Sequence, residues 1–326
     1  MQKIRVVACG LALALAQASA HAAGAEQGFP ERPIRLVVGF TPGGAADYVG
    51  RIVGDSLARV LGQTVIIENK PGAGSSIAAD YVSKAAADGY TILIASPSSI
   101  SVNPALDPKR APAVQTLVPL TKLTASPLVI AADPSTGINS IGDLIAAAKK
   151  NPGKFNFSSA GSGSAPHLGG VLFNQLAGTS ITHIPYKGGA PSVQSVIAGD
   201  TQVTFATPPS VLPFIKAGRM RGLAVSSAER SPLVPDLPGM KEAGLPDYKL
   251  DFWYGFFVPA GTPPQVVRKL FDATIAAVQR PEVKAALARE GTDVSLSASP
   301  ADFTAFLKED NRFWAKLAKD SGAKID

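Results

Sequence analysis

A single cysteine, Cys9, stands in a chain of 326 residues. It lies close to the N-terminus, inside a segment that reads as a leader. Once that leader is cleaved, the mature chain has no disulfide, no thiol nucleophile and no cysteine-based metal site. Histidine is scarce as well, with His21, His167 and His183 the only three, and their spacing matches no metal motif. Charged residues make up only 17% and no run of Lys or Arg occurs, so the net charge of +6 is a mildly basic surface rather than a nucleic-acid footprint. After the leader, no apolar run approaches the roughly 18 residues needed to cross a bilayer. Enzyme signatures are missing too. There is no G-x-S-x-G elbow and no G-x-x-x-x-G-K-[ST] loop. The G-x-G begun by Gly161-Ser162-Gly163 meets Pro166 where a third glycine belongs, and that begun by Gly72-Ala73-Gly74 meets Ile77, so no nucleotide cofactor is expected.

What is present is a chain whose 46% hydrophobic content predicts a globular protein, with a length that fits about two domains. Residues 1–22 read as a signal peptide. Lys3 and Arg5 form the positive region, 6–16 is apolar and too short to span a bilayer, and Ala20-His21-Ala22 is an A-x-A site, with Ala18-Ser19-Ala20 as the nearby alternative. Export and cleavage near Ala22 are expected. Val6-Val7-Ala8-Cys9 loosely matches a lipidation box but comes too early, with the long apolar run after it.

Strand and helix signals then alternate, the pattern of parallel sheets covered by helices. The first block has strands over 34–40, 64–68 and 90–95, with helices over 48–61 and 75–87 between them. The second has strands over 128–132, 154–158, 181–185, 202–206 and 221–226, and helices over 140–150, 166–177, 191–198 and 210–217. Ser140-Ile141-Gly142-Asp143 resembles a capping box with Asp in the Glu place. A short helix is expected at 239–243, an aromatic strand over 251–258, and three closing helices near 264–279, 281–289 and 300–319, each started by a proline. The fold class expected is α/β, each half a mostly parallel sheet flanked by helices. The domains expected are a first lobe of 23–124 and 248–326, and a second of 125–247 inserted into it, with a hinge near 123–127 and 246–252.

Two strand–turn–helix junctions stand out. Phe40-Thr41-Pro42-Gly43-Gly44-Ala45-Ala46-Asp47 follows the first strand; Ser159-Ala160-Gly161-Ser162-Gly163-Ser164 begins the second. A glycine turn opening a helix points bare N–H groups outward and attracts anions. Such turns sit beyond the carboxyl ends of strands, where ligands bind in open α/β sheets. A pair facing one another would clamp a small anion. Asp47 either supports its helix start, or accepts N–H bonds to hold the turn, or meets an amino group of a ligand. His167, near a helix start, either donates to a ligand or packs; His183 reads as structural. Lys187 in Tyr186-Lys187-Gly188-Gly189 is the best cation for the cleft. Thr207-Pro208-Pro209-Ser210 and Ser96-Pro97-Ser98-Ser99 end strands at the same edge, which makes Ser96 and Thr207 further candidates. A serine near 159–164 with His167 leaves an exported hydrolase as an alternative, although no acid orients that imidazole.

The chain resembles the substrate-binding proteins of tripartite tricarboxylate transporters, the Bug receptors. The resemblance rests on Pro33 to Asp47, Leu61-Gly62-Gln63, Val65 to Gly74, Asp88-Gly89-Tyr90-Thr91, Ser164-Ala165-Pro166-His167-Leu168, His183 to Gly188, Trp253-Tyr254-Gly255 and Pro259 to Pro263. It implies a two-lobed periplasmic binding protein of type II-like architecture that closes on a small organic carboxylate. It implies that one carboxylate is held by Phe40, Gly43, Gly44, Ala45 and Asp47 from one lobe and Ser159, Ala160, Gly161 and Ser164 from the other. Membrane subunits of the transporter are the implied partner, in a monomer that uses no cofactor; a ligand-presenting partner of a membrane kinase is the other reading. An acidic residue common in the family is replaced by Ala206, which argues against an amino-acid ligand.

Overall fold

The computed structural model describes residues 28–323. The signal peptide, its cleavage site and Cys9 lie outside the described residues. The first sheet opens with β1 (Ile34–Val38), whose side chains are almost all buried. Helix α1 (Ala45–Leu61) covers it, because Val49, Val53 and Leu57 recur on one face and lose all solvent contact. Gly62 ends the helix in the left-handed conformation at φ +67°. β2 (Val65–Asn69), α2 (Ser76–Ser83) and β3 (Thr91–Ala95) follow, then a string of short helical turns between Ser98 and Gln115. The chain continues through β4 (Leu117–Pro127) into the second sheet, built from β5 (Val129–Ala132), α3 (Ile141–Lys150), β6 (Asn156–Ser159), α4 (Ala165–Ala177), β7 (Thr182–Pro185), α5 (Gly189–Ile197), β8 (Val203–Ala206), α6 (Pro208–Lys216) and β9 (Arg221–Val225). It returns as β10 (Asp251–Pro259) and closes with α7 (Pro264–Gln279), α8 (Pro281–Arg289), β11 (Asp293–Val294) and α9 (Pro300–Asp320).

The strand orders are β11-β4-β10-β3-β1-β2 and β7-β6-β8-β5-β9. The α/β class with two helix-flanked sheets is as expected, and in each sheet most strands run in one direction. β2, β1 and β3 run parallel, as do β7, β6 and β8. The strands that carry the chain between sheets run the other way: β10 is antiparallel to β3 and β4, and β5 is antiparallel to β8 and β9. Alternating strand and helix signals reveal these strands but not the direction in which a strand arriving from the other sheet runs. The short helix expected at 239–243 is a set of turns instead. Gly239 is pressed against the backbone of Ala228 and Glu229, and it bridges to Val225. α2 is also shorter than expected and stops at Ser83.

The passage between sheets is narrow. Leu128 N–H donates to Ser226 Oγ at 2.7 Å, and Ser226 N–H donates to the Leu128 carbonyl at 2.8 Å. Leu250 N–H donates to the Ser226 carbonyl, and the Ser226 hydroxyl donates to the Leu250 carbonyl. Both crossing segments are thus pinned to one fully buried serine. Around them the core is aromatic: Phe157, Phe173 and Phe205 fill the second sheet's side, and Trp253, Phe257 and Phe303 the first's. Each such ring contributes roughly 1.5–3 kcal/mol on burial. No helix among the described residues is long and apolar enough to cross a membrane.

Candidate functional site

Both glycine turns are rigid because their own polar groups are satisfied internally. In the first, Asp47 is buried and its carboxylate accepts from Gly43 N–H at 3.0 Å, from Asn69 Nδ2 at 3.0 Å, and from Arg51 Nε and Nη2 at 2.8 and 3.0 Å. Burial pushes the carboxyl up, but the donors Arg51, Gly43 and Asn69 together hold it below the ordinary carboxylate range. Asn69 also donates to the Phe40 carbonyl. Gly43 takes φ +81°, which an L residue adopts only with strain.

In the second turn, Ser164 is the N-cap of α4, its hydroxyl accepting from the His167 backbone N–H at 3.3 Å. His167 Nδ1 accepts from Gly163 N–H at 3.1 Å. Its ring stacks on His183 with centroids 3.8 Å apart. His183 Nε2 lies 2.6 Å from Ser159 Oγ, which also accepts from Gly161 N–H. Burial, aided by His167, holds the His183 imidazole down to about 3, so it is neutral at neutral pH.

The turns meet across the cleft in a reciprocal way. Ala45 N–H, at the start of α1, donates to Ser210 Oγ at 3.1 Å; Ala165 N–H, at the start of α4, donates to Ser98 Oγ at 3.0 Å. Each helix N-terminus therefore receives a hydroxyl from the opposite sheet's domain. Ser210 lies 3.2 Å from Thr207 Oγ1, and Thr207 in turn bonds the buried Tyr254 hydroxyl on β10. Glycines make the close approach possible. A Cβ on Gly188 would lie 2.5 Å from Thr41 Oγ1, and one on Gly74 would lie 3.1 Å from the Ser162 carbonyl.

Two spaces remain between the halves. The inner one, about 20 Å³, has room for little more than a water; Phe40, Ala45, Ala160, Phe205, Thr207 and Tyr254 are among its walls. The outer one, about 250 Å³, lies between the Gly72–Ser75 loop and the segments around Gly161 and Tyr186. Phe40 and Ala160 line both spaces. The buried hydroxyls of Thr41, Ser75 and Ser96 around this region find no hydrogen-bond partner among the described residues.

Of the residues singled out in the sequence, Phe40, Gly44, Ala45, Ala160 and Thr207 line the inner space, and Gly161 and Lys187 join Phe40 and Ala160 at the outer one. Gly43, Asp47, Ser159, Ser164 and His167 line neither; they build the frames of the two turns. Asp47 thus takes the turn-holding role among the three considered. Ser96 is fully buried at the end of β3. Of the serines considered with His167 for the hydrolase alternative, Ser164 meets its backbone N–H rather than its ring, and Ser159 lies against His183 instead. Among the described residues no group of three His, Cys, Asp or Glu is placed to hold a metal. Sequence reasoning missed Ser75, Asn103 and the cross-cleft roles of Ser98, Ser210 and Tyr254. Asn103 Nδ2 reaches the Ala73 carbonyl at 2.9 Å, the Gly74 carbonyl at 3.1 Å and Ser76 Oγ at 2.7 Å, fixing the Gly72–Ser75 loop from outside any motif.

A receptor built on this plan has known counterparts. The chain is 34% identical to Protein BugT of Bordetella pertussis over 302 residues, 91% of each chain. The structure of R. palustris Rpa4515 with adipate superposes with a TM-score of 0.87 at 32% identity, covering 91% of this chain and 99% of that one. MatC (Rpa3494) from Rhodopseudomonas palustris with bound malate gives 0.84 at 29% identity, covering 89% and 100%. The model of the tripartite tricarboxylate transporter family receptor matches residues 49–323. With two glycine turns meeting across a cleft and a family match over most of its length, the chain belongs to the tripartite tricarboxylate transporter receptor family.

Proposed function

We propose that this receptor captures a small organic carboxylate between its lobes and delivers it to the membrane subunits of a tripartite tricarboxylate-type transporter. The observation that carries this reading is the reciprocal pairing of Ala45 with Ser210 and Ala165 with Ser98. Two helix N-termini converge on one narrow space, and each is a favourable place for an anion. A charge-assisted hydrogen bond contributes roughly 1.5–3 kcal/mol and association costs about 4–15 kcal/mol, so one turn alone barely binds while two closing together do. Two relatives in the same fold hold adipate and malate. The lobes are 23–124 with 248–326, and 125–247. Phe40, Gly44, Ala45, Ala160, Gly161 and Thr207 contact the ligand, while Gly43, Asp47, Ser159, Ser164 and His167 hold the turns that present it. Receptors of this family are periplasmic. The leader is removed near Ala22, the mature chain acts as a monomer, and it binds its ligand without altering it.

The test is a thermal-shift and calorimetric screen of the mature protein against mono-, di- and tricarboxylates, adipate and malate included. A ligand at a hundred times its Kd raises the melting temperature by about 4–8 °C. A panel giving neither a shift nor heat overturns the reading.

A further inference from the structure

The two lobes also touch outside the cleft, and in the same manner twice. α6 starts at the cleft with Ser210 in its first turn and ends at Lys216, whose Nζ donates to the Arg289 carbonyl at 2.9 Å. α4 starts at the cleft with Ala165, and near its far end Gln175 Nε2 donates to the Asp320 carbonyl at 2.9 Å. Arg289 and Asp320 are the last residues of α8 and α9. The last carbonyls of a helix lack a partner within it and carry the negative end of its dipole. An ammonium or amide donor is favourable there. Two closing helices of the first lobe are thus capped by side chains of the second.

Both helices act as levers. α6 is anchored at its start: Thr207, just before it, bonds the Tyr254 hydroxyl on β10. A Cβ on Gly291 would lie 3.0 Å from Pro208 Cβ and 2.7 Å from Leu212 Cδ1, so the first turn packs on the first lobe beside β11. From Pro208 to Lys216 the helix runs about 12 Å, and from Ala165 to Gln175 α4 runs about 15 Å. A turn of about 15° about the helix starts would carry these ends about 3–4 Å, which breaks a hydrogen bond. Lys216 and Gln175 are exposed, and neither lines the inner or the outer space.

We propose that Lys216 and Gln175 are caps from one lobe on the other, which hold the closed form through the last carbonyls of α8 and α9 and so set the receptor's affinity without touching its ligand. This rests on the two-lobed carboxylate-receptor reading above. Both are positioning residues. They tighten every ligand by the same factor and leave the choice among ligands to the cleft, because apparent affinity follows the closed fraction.

The experiment is calorimetry on the mature protein with adipate and malate, for wild type, Lys216→Met, Gln175→Met and the double variant. Each single change weakens every acid that the wild type binds by one common factor of about two- to fivefold, and the double variant by about the product. Lys216→Arg still donates to a carbonyl and stays within about 1.5-fold of wild type. Melting temperatures without ligand stay within about 2 °C of wild type, as for surface changes, and a larger fall marks a structural role and overturns the caps. Unchanged affinity in the double variant overturns them, and so does a weakening that differs more than about twofold between the acids, since the side chains would then act on the ligand. Binding of neither acid by the wild type overturns the carboxylate reading alone. Spin labels then decide the caps, placed at Asp55→Cys and Asp200→Cys, two exposed positions beyond the outer parts of α1 and α5 in a chain with no cysteine after Cys9. A longer label separation in the double variant supports the caps, and an unchanged one overturns them.

Discussion

Small side chains here act through hydroxyls and rings rather than through charge. Ser98 and Ser210 each satisfy a helix N–H across the cleft, so each deletion removes one lobe-to-lobe bond without touching the core. Ser98→Ala and Ser210→Ala are each expected to weaken carboxylate binding about two- to tenfold, with both changes together approaching the product, as calorimetry will show. Smaller losses in the double variant would mean that losing one bond already costs the other. His183 makes a pH prediction with a definite sign. Its imidazole is held down to about 3 in the fold, by burial and by His167. In the unfolded chain it takes a proton below about pH 6.5. Its contribution to stability is therefore full at neutral pH and is lost as pH falls from about 6.5 toward 3. His183→Gln is expected to flatten the fall in urea-unfolding free energy over that window; an unchanged slope would show that another group governs acid sensitivity.

The elements divide into those whose pattern reports their partner and those whose pattern does not. Val49, Val53 and Leu57 on α1, and the apolar run of β1, are legible because burial and period agree. β4 does not show a strand pattern, since it carries Pro119, Pro127 and Lys122 and its buried leucines fall every third residue, at Leu117, Leu120 and Leu123. The register with β10 explains the spacing. It slips between Tyr254 and Gly255 and again between Phe256 and Phe257, and these bulges leave Leu123 and Leu120 as the extra residues. The glycine turns and Asp47 were legible because one local sequence builds each. Ser75, Asn103 and Tyr254 were not, because their roles come from elements far apart in the chain. One element contact yields a test. Trp253 Nε1 on β10 donates to Asp310 on α9 at 2.8 Å, yet burial raises the Asp310 carboxyl to about 6. The fold thus holds this proton more tightly than the unfolded chain does, and stability from this group is lost as pH rises through about 6. Asp310→Asn keeps an acceptor for Trp253. It is expected to raise stability by about 2 kcal/mol near pH 8 and by almost nothing near pH 4, in urea titrations. A loss at both pH values would show that the ionised carboxylate is needed to seat α9.

At the scale of the whole molecule, the proposed closure would turn on the two crossings tied to Ser226 and end where Gly188 meets Thr41. Gly188, at φ +144°, is where the second lobe seats on Thr41. An added methyl there would lie 2.5 Å from Thr41 Oγ1 and 3.2 Å from Thr41 N, the second a main-chain atom that cannot swing aside. The obstacle acts only when the lobes meet, so it reduces the binding-competent closed fraction, and apparent affinity falls by the same factor. Gly188→Ala also strains the backbone of the open protein, so a lower melting temperature alone would not identify the effect. Gly199 supplies the control: it belongs to the same lobe, takes φ +83°, and an added Cβ there meets nothing within 4 Å. Both variants are expected to lose roughly 1–2 kcal/mol of stability, but only Gly188→Ala should lose carboxylate affinity, by at least about tenfold. Small-angle scattering should agree, with ligand compacting wild type and Gly199→Ala but not Gly188→Ala. If Gly188→Ala bound within about twofold of Gly199→Ala, the lobes would have to close along another seam, and the reciprocal serine bonds beside Gly188 would lose their place in ligand capture.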